Sequence, residues 1–462
     1  MKTIGLLCMV IAFALQAACI RSVPIQSFRT ATPSPFFPNS PTAVPSATQT
    51  LASTVTPRDW LPPNFGTPGP TQVTAVPLPA NAIFQPGAFN ILLAGADRAS
   101  PSFRTDTLIL VNFQPEYDLV TLVSIPRDLY VYIPGWQMQR INAAYYRGES
   151  KSFPYPGGGP GLLKDTILYN LGIQVDRVAL VDFDGFISII DILGGVDVPV
   201  ACGYTDWKII DPRKDPEDED NWRLYTLEAG VVHMDGDLAF WYARSRKKSS
   251  DFDRSRRQQE VLRALYSQAL RLNTLAKAPE LYDQVSTSLV MDLDLEYLLG
   301  LLPYAMKGDR VQVRSTYINK DVLISWRTPG GAAVLLPDTE KLSALVASAL
   351  GPPDPDAPAS DNLVEISNGS GEDSWPELAS ERLSYAGFDS VIVDEQDGFV
   401  SRTVLVGLDQ EVDDEEVAFL LKSLGLSENR FEHQPANGGA SQYRLSLGED
   451  YQPCFDPTTI ER

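Results

Sequence analysis

The stretch Phe89-Asn90-Ile91-Leu92-Leu93-Ala94-Gly95, running on into Ala96-Asp97-Arg98, reads as a buried β-strand that ends in a charged turn. Downstream, residues 107–112 and 119–125 are two more apolar runs of strand length, with Gln114-Pro115-Glu116 as the turn between them. A helix is expected over 161–171, a strand over 177–181, and a helix over 186–193 that Gly194-Gly195 ends. Val196-Asp197-Val198 starts a further strand, residues 240–246 read as another, and 254–269 make a strong amphipathic helix. Strands and helices alternating at this pitch predict an α/β fold, a three-layer α/β/α domain with a mixed central sheet.

Past that domain, Gly351-Pro352-Pro353-Asp354-Pro355 marks a boundary. Residues 363–366, 374–386 and 390–393 then read as strand, helix and strand, and 403–406, 414–424 and 443–447 repeat the pattern. This predicts a small C-terminal α/β module. Upstream, residues 22–79 are rich in Pro, Ser and Thr with almost no apolar periodicity, which predicts an extended tether. The N-terminus itself has Lys2, an apolar run over 4–14, and small residues before Cys19. That is the layout of a secretory signal. Leu15-Gln16-Ala17-Ala18-Cys19 also looks like a bacterial lipobox, with Cys19 as the lipidated residue, although Gln16 sits where an aliphatic residue is usual. Lipidation at Cys19, a short uncleaved anchor and plain secretion all send the folded part out of the cytoplasm, and a membrane anchor is expected. The expected boundaries are 1–19, signal and lipobox; 20–83, linker; 84–350, main domain; 351–360, linker; and 361–452, C-terminal module.

The net charge is −21, which argues against a nucleic-acid partner. Acid concentrates in 211–220 and around 411–416, whereas 244–263 is densely basic. A basic island on an acidic protein suggests one anionic ligand, against the plainer reading of a solvated helix face. With Cys8 lost on signal cleavage and Cys19 assigned, Cys202 and Cys454 remain, either paired or as separate thiols.

Four clusters share a composition: Gly95-Ala96-Asp97-Arg98, Arg104-Thr105-Asp106-Thr107, Ser124-Ile125-Pro126-Arg127-Asp128, and Tyr242-Ala243-Arg244-Ser245-Arg246 with its continuation from Asp251 to Gln259. Polar groups at strand ends of an α/β sheet are where ligands usually sit. Strand alternation would put Arg244 and Arg246 on one face, and helical spacing would put Arg254 and Gln258 together, away from Val261 and Leu265. Arginine forks suit phosphate oxygens, and arginines gathered together repel unless an anion neutralises them. Asp97 and Asp106 are candidate Mg²⁺ ligands, because that ion is commonly bound by one or two carboxylates plus substrate phosphates. Structural salt bridges would explain any one cluster; a ligand explains the set better.

In order and spacing these motifs, together with Ile141-Asn142-Ala143-Ala144-Tyr145, Asp191-Ile192-Leu193-Gly194-Gly195-Val196-Asp197-Val198 and Arg257-Gln258-Gln259, make residues 90–270 resemble the LytR-CpsA-Psr family of bacterial cell-envelope enzymes. The segment from Leu363 to Tyr451, with Asn368-Gly369-Ser370-Gly371, looks like the LytR C-terminal module that often follows. The resemblance implies a phosphotransferase that moves a glycopolymer from a polyprenyl-pyrophosphate carrier to peptidoglycan and leaves a phosphodiester link. It implies Asp97 and Asp106 for Mg²⁺, and Arg98, Arg104, Arg127, Arg244, Arg246, Arg254 and Gln258 for the pyrophosphate. Arg127, Arg244 and Arg246 would carry the catalytic charge, and the lipid tail would lie in an apolar channel. Asp253 departs from the pattern, standing where a glycine is common. The competing readings are a polyprenyl-pyrophosphate hydrolase and a non-catalytic envelope-binding protein. Residues 156–161 lack a P-loop lysine and are expected to be a flexible turn, 211–220 a solvated acidic loop, and Asp128 an ion-pair partner of Arg127 rather than a general base.

Overall fold

The computed structural model describes residues 87–96, 104–211, 213–215, 217–245, 251–271, 289–291, 311–352, 363–386, 388–393, 398–409, 412–435 and 441–455. The signal with Cys19, the tether, Asp97, Arg98 and Arg246 lie outside these residues.

Strand β1 (Phe89–Ala96) pairs antiparallel with β2 (Thr105–Gln114), and β2 with β3 (Leu119–Ser124). A short ribbon follows, made of β4 (Tyr130–Tyr132) and β5 (Met138–Arg140). Strand β6 (Arg177–Asp182) joins β1 in parallel. Next come β7 (Val196–Val200), the paired strands β8 (Tyr204–Ile209) and β9 (Trp222–Leu227), and β10 (Gly230–Met234), which pairs with β7. Strands β11 (Leu289–Met291) and β12 (Gln312–Tyr317) complete a mixed six-stranded sheet of order β11-β6-β1-β2-β3-β12. A hairpin, β13 (Leu323–Arg327) and β14 (Ala333–Pro337), stands beside it.

Helices cover both faces. Alternation along β1 sends Leu92, Ala94 and Ala96 to one side, into a core with α1 (Ala144–Gly148), α2 (Gly158–Leu171) and a later helix, α6 (Thr339–Leu350). Ile91, Ile109, Val111 and Leu122 go to the other side, against Leu262 of α5 (Asp251–Arg271). The fold is α/β, with three layers and a mixed central sheet. A third core gathers α3 (Phe183–Ile192), α4 (Gly236–Arg244), β7, β10 and part of α5.

Two local expectations need correcting. Residues up to Arg244, read as a strand from Phe240, belong to α4. Asp235 caps it by accepting from the Leu238 N–H, and Ala239, Tyr242 and Ala243 recur at helical spacing on the buried side. A short apolar run does not by itself separate strand from buried helix. On α5, Arg254 and Gln258 share a face with Val261 and Leu265 instead of opposing them, because steps of four, three and four residues return to one side.

The C-terminal module has the strands β15 (Leu363–Asn368), β16 (Asp389–Ile392), β17 (Val404–Gly407), β18 (Phe431–His433) and β19 (Tyr443–Leu447), in order β16-β15-β19-β17-β18. Helices α7 (Trp375–Ala386) and α8 (Asp414–Leu424) supply its core. A disulfide and an ion pair are among the ties to the main domain. Cys202, just after β7, is disulfide-bonded to Cys454, with Cα atoms 4.3 Å apart. On α5, Arg263 Nε lies 2.8 Å from Glu381, while its Nη2 donates to Ser384 at 2.7 Å.

Candidate functional site

The ends of β2, β3 and β5 and the first turn of α5 bring three acids, Asp106, Asp128 and Asp251, and three arginines, Arg127, Arg140 and Arg254, together. Arg127 Nη1 donates to Asp106 Oδ1 at 2.5 Å, and Arg127 Nε lies 3.6 Å from Asp251 and 3.7 Å from Asp128. Asp128 is held closer by Arg140 Nε, at 3.1 Å. Arg254, only 5% exposed, shares Nη2 between Asp251 Oδ2 at 3.2 Å and the Asp106 carbonyl at 3.3 Å. The buried Thr105 hydroxyl donates to the Asn142 carbonyl, binding two of the sequence motifs to each other.

The electrostatics are uneven. Burial alone would lower the Arg127 pKa, but Asp106 and Asp251, with Asp128, outweigh it and leave it raised. Burial also dominates at Arg254, where Asp251 only partly offsets it and the Arg127 charge adds to it, so its pKa is lowered. Both guanidiniums keep a buried Nε without a hydrogen-bond partner among the described residues. A buried donor left unmet is costly, and an anion would meet both.

The other expected residues divide. Gln258 Nε2 donates to Thr107 Oγ1 at 2.8 Å and to the Ala243 carbonyl at 3.2 Å, so it braces β2 against the end of α4. Arg244 follows Ala243 in α4, and its guanidinium lies over the rings of Phe183 and Phe240 at 4.6 and 5.4 Å. Arg104 is exposed, one residue before β2. Neither Arg104 nor Arg244 has a carboxylate partner among the described residues. Arg140 escaped the sequence reading and Asp251 was given no role. The signal for Arg140 was its place immediately before Ile141-Asn142; for Asp251, an acid opening a basic helix. Asp128 turns out to be chiefly the partner of Arg140.

The weaker motifs resolve differently. Residues 156–161 are the tightly packed entry to α2, in place of the flexible turn expected. The Gly159 N–H donates to Glu149 Oε1 at 2.7 Å, and a Cβ on Gly161 would stand 2.0 Å from the Pro156 carbonyl. A carboxylate of the chain itself occupies the donor that a phosphate would need. In the acidic loop, Asp211 pairs with Arg213 at 2.9 Å, and that hydrogen bond pulls its pKa down to about 2. No group of three or more His, Cys, Asp or Glu gathers into a metal site among the described residues.

The model of the LytR_cpsA_psr family matches residues 73–348. This chain belongs to the LytR-CpsA-Psr family. It is 33% identical over 218 residues to the polyisoprenyl-teichoic acid–peptidoglycan teichoic acid transferase TagU of Oceanobacillus iheyensis, covering 46% of this chain and 62% of that protein. TagT of Bacillus subtilis, named for the same transfer, is 31% identical over 229 residues, covering 48% and 66%. The chain thus spans less than two thirds of the length of these curated relatives. Among solved structures, B. subtilis TagV is 25% identical, with 58% of this chain and all of that chain covered at a TM-score of 0.45.

Proposed function

We propose that this LytR-CpsA-Psr protein is a cell-envelope phosphotransferase that moves a glycopolymer from a polyprenyl-pyrophosphate carrier to peptidoglycan. The observation that carries this reading is the pair of buried, unmet Nε donors on Arg127 and Arg254, converging from distant parts of the chain. Arginine presents two donors in one plane and suits phosphate oxygens, and TagU and TagT are named for this transfer.

In the reaction, an acceptor hydroxyl oxygen on peptidoglycan attacks the phosphorus that bears the polymer. A new P–O bond forms, the bond to the bridging oxygen breaks, polyprenyl phosphate leaves, and the hydroxyl proton passes to a base. Arg127, Arg244 and Arg246 stabilise charge gathering on the phosphoryl oxygens, while Arg98, Arg104 and Arg254 hold the pyrophosphate. Mg²⁺ fits the donor set in one respect: Asp106 gives Oδ1 to Arg127 yet stays 39% exposed at the cluster's edge. Asp106, with Asp97, would hold the ion, which would neutralise phosphate charge. The Cys202–Cys454 disulfide fits an oxidising compartment, in keeping with export and a lipid anchor at Cys19.

The test supplies the full chain with lipid-linked polymer, with and without peptidoglycan. Polymer covalently joined to peptidoglycan, formed only with both present, is the expected result. Release of polymer phosphate regardless of acceptor would make the protein a hydrolase, and no release would leave an envelope-binding role.

A further inference from the structure

The β4–β5 ribbon presents two different faces. Leu129 and Val131 are fully buried in the core, so Tyr130 stands on the opposite, half-exposed side. Its cross-strand partner there is Arg140, and its ring lies 5.9 Å from that of Trp326 on β13, tilted by 52°. The neighbouring hairpin is fixed to this ribbon, since the Leu335 N–H donates to the Asp128 carbonyl at 3.1 Å and Arg140 Nη2 to the Ala333 carbonyl at 2.7 Å. On β13, Ile324 sits two residues before Trp326 and is 57% exposed. Contacts therefore run without a break from Trp326 and Tyr130, through Arg140 and Asp128, to Arg127.

We propose that the Tyr130–Trp326 surface is the seat of the acceptor glycan, stacking a pyranose ring of a peptidoglycan strand beside the arginine cluster. Aromatic faces combined with a few fixed polar groups suit a sugar, whose ring has apolar C–H faces and a hydroxyl rim. Arg140, the cross-strand partner of Tyr130, and Asp128, paired with Arg140 at 3.1 Å, are polar groups beside these rings. The donor does not need such a surface, because it brings two phosphates for the arginines and a lipid tail. The acceptor's pyranose rings bring neither phosphate nor lipid, so their affinity must draw on contact of another kind. This inference rests on the proposed transfer reaction.

Two readouts keep the two readings apart. Peptide-free glycan strands are titrated into the full-length protein in detergent, and binding is followed by calorimetry for the wild type, Trp326→Ala and Trp326→Phe. Kinetics with lipid-linked polymer are run in parallel. Trp326→Ala should weaken strand binding and raise the acceptor KM about tenfold or more, the loss of a central aromatic anchor, with the donor KM within about twofold. Trp326→Phe, which keeps a ring, should retain most of the affinity and guards against a folding defect. Strand binding without any transfer would sink the proposed reaction and leave this surface standing. Unchanged strand affinity in a folded Trp326→Ala protein, or a rise in donor KM alone, would overturn the assignment.

Discussion

Two arginine systems meet at the start of α5, and they differ in how their charge is met. Arg256, 4% exposed, gives Nε and Nη2 to Asp253 and Nη1 to Glu260, which also accepts from the Tyr242 hydroxyl at 2.8 Å. Arg257 is fully buried and gives its three nitrogens to Asp253, the Tyr242 carbonyl and the Ser245 carbonyl. That system is closed. Arg127 and Arg254 also pair with acids, but each keeps a buried Nε without a hydrogen-bond partner among the described residues. Burial alone does not mark a site; here the two systems differ in the Nε donors that Arg127 and Arg254 leave unmet beside one group of acids.

The closed system should matter for folding. Burial drives the Glu260 pKa up, against the Arg256 charge, so this acid is held in place only by its partners. Glu260→Ala leaves Arg256 buried and short of a partner, and should destabilise by about 3–5 kcal/mol in urea unfolding. Unchanged stability would mean that Arg256 finds another acceptor, and the contrast between the two systems would lose its meaning.

The open system should matter for turnover. Arg127→Lys keeps the charge but loses the planar fork, and the rate should fall about 10²–10³-fold. The midpoint of thermal unfolding should stay close to that of the wild type. Full activity in a folded Arg127→Lys protein would make this arginine structural. A third variant probes the docking of the C-terminal module. Cys202→Ser with Cys454→Ser removes a bond between residues 252 apart and should cost about 2–4 kcal/mol. Equal melts of the oxidised wild type and this double variant would show that Arg263 and Glu381 suffice.

How far the sequence showed these features depended on range. The central strands were legible because both faces of β1 are buried, leaving a continuous apolar run. Asp414–Leu424 was legible from periodicity and its acidic first turn. Helix α4 was misread because Phe240, Trp241 and Tyr242 have strand-like character, while the Asp235 cap lies five residues earlier. The convergence of Asp106, Arg127 and Arg254 followed from motif order, but which acid meets which arginine did not. Asp251 enters the site through its contact with Arg127, more than a hundred residues away, and Arg140 through Asp128 on the neighbouring turn, a tertiary pairing that no local pattern encodes.

Asp253 tests whether the boundary between the two systems is set by charge or by shape. Its carboxylate receives both Arg256 and Arg257, at 2.8 and 3.2 Å. Burial pushes its pKa up, but the two arginines outweigh that and leave it lowered. Asp253→Asn keeps the shape and removes the charge; with the side chain 30% exposed, the cost at neutral pH should be about 1–2 kcal/mol. The sign of the pH dependence follows from the lowered folded pKa. The unfolded carboxyl takes up a proton first, near its ordinary value of about 3.9, so the stabilisation is whole above that pH. It drains away as pH falls through the folded value. The stability difference between wild type and Asp253→Asn, from urea unfolding at matched pH, should be flat from about pH 7 to about pH 5 and shrink below about pH 4. A difference that persists to the lowest pH at which both proteins fold would mean that Asp253 acts through its shape. The closed system would then owe its order at this end to packing, and its arginines would be balanced by Glu260 and the backbone carbonyls alone.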